Sequence, residues 1–358
     1  MATRQTEKIR RYCKQTSMLI RDVDQSEADL PADCTAEVEQ VRPAVSAIVV
    51  SFNTRQMTLD CLHTLADELG QCAADIWLVD NASTDGTVDA VAAAMPHVKI
   101  IANSRNAGFG AANNQAMRQA QGEFILLLNS DAFPQQGAVA ALLDYMRAHP
   151  DVGVAGPRLL NADKSLQISC FRFPSPGFCW AENLWAPILF PRSRAISDYR
   201  RWAHDRERDV DWVVGACMMI RAEAYRVAGG FDERFFMYAE ETDWQRRIRR
   251  AGWRVCFTPA GNVVHLGRGS AKAGDGVVDG HFFQSLDRYQ LKHHGWAGLV
   301  SLRMAMIVGC SARALAWSLV GVVRPGRRQV AWNKARFHCR LAWRQATVIP
   351  RLKEGRTR

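Results

Sequence analysis

Three clusters of polar side chains sit where their types and spacing could do chemistry. The first is Asn129-Ser130-Asp131, which follows directly on the apolar run FILLL at 124–128. A carboxylate at the end of such a run belongs either to a plain turn or to a metal site at the mouth of a sheet. The second is Tyr238-Ala239-Glu240-Glu241-Thr242-Asp243-Trp244, which places three carboxylates in four positions close to Phe235 and Phe236. Acidic residues in a first helical turn complement the dipole, and Asp243 stands four residues before Arg247, so helix stability explains part of the pattern. Like charges crowded beside aromatic rings also raise at least one pKa, which suits a general base for a hydroxyl. The third is His265, in VVHLG; a lone histidine there is more often a satisfied loop residue than a ligand, unless it shares a cleft with Asp131 and Glu241.

The elements that must position these groups are readable from residue 44 onward. AVSAIVVS, DIWLVD, HVKIIAN and EFILLL read as strands, separated by the helix-like TRQMTLDCLHTLADEL, VDAVAAAM and GAANNQAMRQAQ. Strand and helix alternating at this spacing predict an α/β fold, a mostly parallel sheet with helices on both faces. Ligands of such sheets bind beyond the carboxyl ends of the strands. Those ends carry Asn53, then Asp80-Asn81, then Asn103 to Asn106, then Asn129 to Asp131. Any one of them is a common turn former; four on one rim predict a binding site. Gly108-Phe109-Gly110 is similar to the start of a dinucleotide fingerprint, but it follows the third strand and ends in Asn113. The turn after the first strand, SFNTRQ, has no glycine, which argues against a nicotinamide or flavin enzyme. Residues 150–210 read as an irregular excursion over the sheet, and DWVVGACMMI and RVCFTP as two further strands, the second leading into NVVHLGRGS.

The 358 residues are 48% hydrophobic and 23% charged, as expected of a globular chain. Ten cysteines form no Cys-x-x-Cys pair, and the first 18 residues are polar and basic, so reduced thiols in a cytosolic compartment are expected. The net charge of +10 is unevenly placed: residues 301–358 hold 13 Lys and Arg against one acidic residue, Glu354. The body is nearly neutral, and no nucleic-acid partner is expected.

In order, the segments AIVVSFN, LVDNASTDGT, NAGFGAANNQAM, FILLLNSDAF, VVGACMMIRAEAYRVAGGFDERFFMYAEETDWQRRIRRAGW and VVHLGRGS resemble a family 2 glycosyltransferase of the GT-A fold, close to bacterial rhamnosyltransferases of cell-surface polysaccharide synthesis. The resemblance implies a Rossmann-like nucleotide-binding sheet and an inverting, metal-dependent sugar transfer. Its partners would be a nucleotide-sugar donor, first of all dTDP-rhamnose, and a glycan or lipid-linked acceptor. A UDP-hexose or UDP-galactofuranose is the alternative donor. It implies that Asn53, Asp80 and Asn81 line the nucleotide pocket, with Asp80 accepting from the N3–H of a uracil or thymine. Asn106, in the NAGFG turn, and Asn113 would support the ribose. Asn129 stands at the first position of the family's Asp-x-Asp motif and would touch metal, ribose or sugar. Asp131 and His265 would hold Mg²⁺ or Mn²⁺. Glu241 would be the base, with Glu240 and Asp243 as neighbours able to take that part.

The expected organisation is an extension at 1–43, the transferase domain at 44–290 and a basic helical region at 291–358. Within 299–323 the apolar stretch is interrupted by Arg303 and Arg313, leaving uncharged runs too short to span a bilayer. Arg336, Arg340 and Arg344 recur every four residues beside Trp332, Phe337, Leu341 and Trp343, which suits an interfacial helix on anionic lipid. The expected location is therefore peripheral, on the inner face of the cytoplasmic membrane. Two rival classes are a nucleotidyltransferase, whose Gly-rich basic loop is missing after the first strand, and a non-catalytic binding protein, which would have no need of Asp80, Asp131 and Glu241.

Overall fold

The computed structural model describes residues 42–70, 72–193, 199, 202–267 and 280–348. The extension expected at 1–43 and the GRGS that follows Leu266 therefore fall almost wholly outside the described residues. The first half has the expected order: β1 (Val45–Ser51), α1 (Arg55–Leu69), β2 (Ala74–Asp80), α2 (Thr87–Ala94), β3 (Lys99–Ala102), α3 (Phe109–Met117) and β4 (Phe124–Asn129). β1 pairs in parallel with β2 and β4, and β2 with β3. Ser51 lies opposite Asp80, Asp80 opposite Ala102 and Val50 opposite Asn129, so all four carboxyl ends share one rim.

The period-2 alternation of these strands divides two cores. Val45, Ala47 and Val49 of β1, with Phe124, Leu126 and Leu128 of β4, pack under Leu62 and Leu65 of α1. Ile48 of β1, with Ile125 and Leu127 of β4, packs under Ala112, Ala116 and Met117 of α3. Helices on both faces follow from strands that are apolar on both sides.

After β4 come β5 (Ala132–Pro134), α4 (Ala138–Ala148), β6 (Val152–Leu160), β7 (Leu166–Gln167), and the short helices α5 (Pro176–Asn183) and α6 (Ala186–Leu189). Then come β8 (Cys217–Arg221), α7 (Ala222–Ala228), α8 (Glu240–Arg250), β9 (Arg254–His265), α9 (Gly280–Val323) and α10 (Arg328–Thr347). The sheet runs β3-β2-β1-β4-β8-β6-β9-β5. β8 is antiparallel to β4 and β6, and β5 is antiparallel to β9, so the sheet is mixed but mostly parallel. RVCFTP and NVVH, expected as separate, form one strand of 12 residues with a break in register between Phe257 and Asn262.

The 290/291 boundary expected from the sequence falls inside α9, whose backbone breaks at Gly295 (φ 65°, ψ −167°). Before that break α9 is tied to the body: Ser285 Oγ donates to the Met237 carbonyl at 2.7 Å. By length and composition alone α9 is long and apolar enough to cross a membrane. α10 folds back onto it, burying Ala331 and Ala335, with Trp332 against Gly321. Of the expected arginine stripe, Arg336 and Arg340 are exposed. Arg344 instead turns inward over the Phe283 ring at 5.3 Å and donates to the Gly280 carbonyl at 3.3 Å.

Candidate active site

The loops after β1 and β2 are stitched to each other. Asn53, in the left-handed region at φ 52°, donates its N–H to Ser83 Oγ and accepts from the Thr84 N–H through Oδ1, both at 2.8 Å. The Arg55 N–H donates to Asp85 Oδ2 at 2.8 Å. Asp80 is buried at the end of β2; its Oδ2 accepts the Ser83 N–H at 2.8 Å, while its Oδ1 has no partner among the described residues. An acceptor held in place and left unsatisfied is the group that a ligand N–H would complete.

Asn81, Asn106 and Asn113 build the wall beside it. Asn81 Nδ2 donates to the Gly108 carbonyl at 3.2 Å, and its Oδ1 accepts from Asn103 Nδ2 at 3.0 Å and from the Ala107 N–H at 3.3 Å. Asn106 Oδ1 accepts the Gly108 N–H at 2.9 Å, and Asn113 Nδ2 donates to the Phe109 carbonyl at 3.0 Å. The two glycines of this turn serve a close approach. At Gly108 (φ 88°) an added Cβ would overlap the Phe236 carbonyl oxygen, and at Gly110 it would stand 2.9 Å from Phe231 Cβ. Asn114 completes the clamp by accepting the Phe231 N–H at 2.8 Å and donating to its carbonyl at 2.9 Å. The turn that is similar to a dinucleotide fingerprint thus grips the segment carrying the acidic cluster.

At the end of β4, Asn129 is half-buried; its N–H donates to the Ala216 carbonyl at 2.9 Å and its carbonyl accepts the Cys61 thiol at 3.4 Å. Burial first, and then the nearby Asp131 charge, push that thiol far up, so it stays protonated. Ser130 is fixed from below by hydroxyls: its Oγ shares a hydrogen bond with Thr54 Oγ1 at 3.2 Å, and Thr54 shares one with Ser51 at 3.1 Å.

Asp131 is reached across the β5–β9 ladder. Because His265 lies opposite Ala132, its ring meets the carboxylate, with Nε2 3.4 Å from Asp131 Oδ1. The imidazole is oriented from behind by Gln167. Its Nδ1 is 2.7 Å from Gln167 Oε1, and Gln167 Nε2 donates to Asn161 Oδ1 at 2.9 Å and to the His265 carbonyl at 3.1 Å. An amide oxygen can only accept, so Nδ1 carries a proton toward Gln167 and Nε2 is turned toward Asp131. One carboxylate and one such imidazole make a pair of divalent-cation donors. Among the described residues no group of three or more His, Cys, Asp and Glu is arranged to hold a metal, so this pair suits an ion that takes its other oxygens from a substrate and water.

The acidic cluster opens α8 after two successive non-glycine residues in the left-handed region, Tyr238 (φ 70°) and Ala239 (φ 61°). Its three carboxylates have different environments. Glu240 is buried, and burial together with the Glu241 charge raises its pKa well above the usual carboxylate range. Burial also raises Glu241, while the backbone N–H groups of Glu241, Thr242 and Gly215 pull the other way. Glu240 Oε2 and Glu241 Oε2 are buried without partners among the described residues. Gly215 precedes β8, whose first residue lies opposite Leu128, so Glu241 belongs to the rim that Asn129 ends.

Asp243 faces the other way. It is fully buried and meets Arg247 at 3.0 Å, Lys292 Nζ at 2.7 Å and His293 Nε2 at 2.7 Å. Burial alone would raise its pKa, but the hydrogen bonds from His293 and Lys292 and the nearby positive charges hold it below the usual value. This is a joint between α8 and α9. Sequence reasoning missed its α9 half, as it missed Gln167, Asn114 and Gly215; the last two lay within motif segments, but none carried a local signal of its role.

Comparison with known proteins adds to this geometry. The family model described as "Glycosyl transferase family 2" matches residues 46–226. The N-acetylglucosaminyl-diphospho-decaprenol L-rhamnosyltransferase of Mycobacterium tuberculosis is 33% identical over 202 residues, 53% of this chain and 66% of the relative. Rhamnosyltransferase WbbL of Escherichia coli is 31% identical over 198 residues, 52% of this chain and 67% of the relative. The chain thus spans about two thirds of the length of these curated relatives. The crystal structure of GalNAc-T7 with UDP, GalNAc and Mn²⁺ superposes with a TM-score of 0.52 at 14% identity, covering 71% of this chain and 48% of that one. That likeness agrees with the expected GT-A fold. A family model that covers half of the sequence and runs from β1 into α7 makes this chain a member of glycosyl transferase family 2.

Proposed function

We propose that this protein transfers a sugar from a nucleoside-diphosphate donor to a hydroxyl of a glycan or lipid-linked acceptor, with inversion, in the synthesis of a cell-surface polysaccharide. The observation that carries the reading is the convergence on one rim of the Asp80 acceptor, the Asp131–His265 pair and Glu241. Asp80 Oδ1 takes the N3–H of a uracil or thymine. Asn53, Asn81, Asn106 and Asn113 shape the loops around the base and ribose, and Asn129 faces the sugar. Asp131 and His265 would hold the divalent cation, Mg²⁺ or Mn²⁺, which when bound would supply a Lewis acid for the departing diphosphate.

Glu241 takes the acceptor proton as the acceptor oxygen bonds to the anomeric carbon and the bond from that carbon to the diphosphate breaks. Burial and the neighbouring Glu241 charge favour a neutral Glu240, while the backbone N–H groups of Glu241, Thr242 and Gly215 favour the negative charge on Glu241. Asp243 is a poor base, because the hydrogen bonds from His293 and Lys292 and the charges of Lys292 and Arg247 lower its affinity for a proton. dTDP-rhamnose is the first donor to test, supported by the two rhamnosyltransferase relatives; UDP-hexose and UDP-galactofuranose would use the same Asp80 contact. The diphospho-decaprenol acceptor in the name of the mycobacterial relative supports a lipid-linked acceptor here, and with it a peripheral membrane location.

The test is a thermal-shift panel of nucleotide sugars with and without Mn²⁺, followed by kinetics on Glu241→Gln. The right donor raises the melting temperature by mass action. Glu241→Gln is expected to lower kcat by about 10²–10⁴-fold with donor affinity kept, and wild-type kcat to rise with pH as the burial-raised carboxyl deprotonates. Full activity of Glu241→Gln would remove the assignment, and binding of no nucleotide sugar would favour a non-catalytic protein.

A further inference from the structure

Arg303 and Arg313 interrupt the apolar run of α9 in the sequence, but in the fold neither faces outward. Arg303 Nη2 pairs with the buried Asp287 at 2.7 Å. Arg313 lies over the Trp185 ring at 5.1 Å and donates to the Glu182 carbonyl at 3.4 Å. Both belong to the packed side of the helix, with the buried Leu302, Met306 and Cys310. The opposite side is a different surface. Val300, Met304, Val308, Leu315, Leu319 and Val322 recur at helical spacing and are all exposed, Leu315 at 64% and Val322 at 70%. No charged side chain interrupts this stripe, which at 1.5 Å per residue runs about 40 Å from the Gly295 break.

The charge around the stripe identifies its partner. Residues 288–353 contain no Asp or Glu. At the far end of α9, Arg324, Arg327 and Arg328 are exposed, and at the near end stands Trp296, 64% exposed. Ile188 and Leu189 of α6, next to the Trp185 that Arg313 covers, are exposed too. An apolar face with basic residues and tryptophan at its edges suits the boundary between acyl chains and anionic headgroups. A helix that spanned the bilayer on its own would be apolar all round, whereas the back of α9 is packed on α5 and α10.

We propose that α9 from Gly295 to its end lies in the plane of an anionic membrane, apolar stripe down, with Arg324, Arg327 and Arg328 on the headgroups. α10 then serves to cover the back of α9 rather than to carry the docking stripe. This deepens the peripheral location in the reading above, and it is measured apart from sugar transfer, so failure of either leaves the other standing.

The test is flotation of the full chain with vesicles of phosphatidylcholine alone and of equal parts phosphatidylcholine and phosphatidylglycerol. The wild type is expected to float with both, more strongly with the anionic vesicles. Leu315→Glu with Leu319→Glu, both at exposed positions, should lower partitioning roughly tenfold or more on both vesicle types, with an unchanged melting temperature. Arg327→Ala with Arg328→Ala should lower it roughly tenfold on the anionic vesicles alone. Wild-type flotation with neither vesicle would overturn the proposal, as would wild-type behaviour of the double glutamate variant. A wild-type dimer in light scattering that this variant converts to monomer would assign the stripe to a second copy of the chain. Loss of flotation in Arg336→Ala with Arg340→Ala, while the double glutamate variant still floats, would move docking to α10.

Discussion

At Asp80 one carboxylate oxygen is engaged by a backbone N–H and the other is buried without a partner among the described residues, so the residue is half of a hydrogen-bonded arrangement. Charge-assisted hydrogen bonds of this kind contribute about 1.5–3 kcal/mol. Asp80→Ala should therefore weaken binding of UDP or dTDP by roughly 10–100-fold, read by calorimetry, with weak purine-nucleotide binding unchanged. Equal weakening for purines would mean that Asp80 only shapes the loop. This residue was legible in the sequence, because a carboxylate that ends a strand in an α/β pattern has few other places to go. Gln167 was not. It orients His265 from a two-residue strand that lies 98 positions away in the chain, and no local pattern marks such a contact.

The segment that presents Glu241 is set by α3, not only by its own helix. The approach of the Gly108 turn to the Phe236 carbonyl leaves no space for a side chain, and the left-handed φ adds strain for any L-residue. Gly108→Ala should cost about 2 kcal/mol or more in denaturant unfolding and lower kcat more than it raises KM, because the displaced group is on the rim. A variant as stable and active as wild type would show that the two segments move independently. The alternating strands and their shared polar rim were readable, since both follow from local periodicity. The antiparallel insertion of β8 and the continuity of β9 were not, because pairing between distant segments decides them. Arg303 and Arg313 belong with these: sequence shows that charges are present, and only the packing of α9 shows which way they face.

For the molecule as a whole, the acidic cluster pulls stability in opposite directions as pH changes. Glu240 has a raised pKa in the folded chain, so its contribution is full below the ordinary carboxylate value of 4.5 and is lost as pH rises through the folded value. Asp243 has a lowered one, so its contribution is present above 3.8 and is lost as pH falls through its folded value. Melting curves across pH should separate them. Glu240→Gln is expected to match wild type near pH 4.5 and to melt higher, by about 2 °C or more, at pH 8. Asp243→Asn, which takes the fully buried carboxylate from between Arg247, Lys292 and His293, should lose about 1.5–3 kcal/mol at neutral pH. That deficit narrows as acid protonates the wild-type Asp243. A Glu240→Gln variant no more stable than wild type at pH 8 would show that the buried carboxyl is relieved by other contacts.

The left-handed pair Tyr238 and Ala239 sets a limit on how this protein can be improved. Each such residue costs about 1–2 kcal/mol relative to ordinary backbone, and glycine at 239 would remove most of that at one position. Glycine there would also free the first turn of α8 to rotate, and with it the two glutamates. The strain and the orientation of the base are thus one property, and a library screened for heat resistance alone would be drawn toward chains that are sturdier and slower.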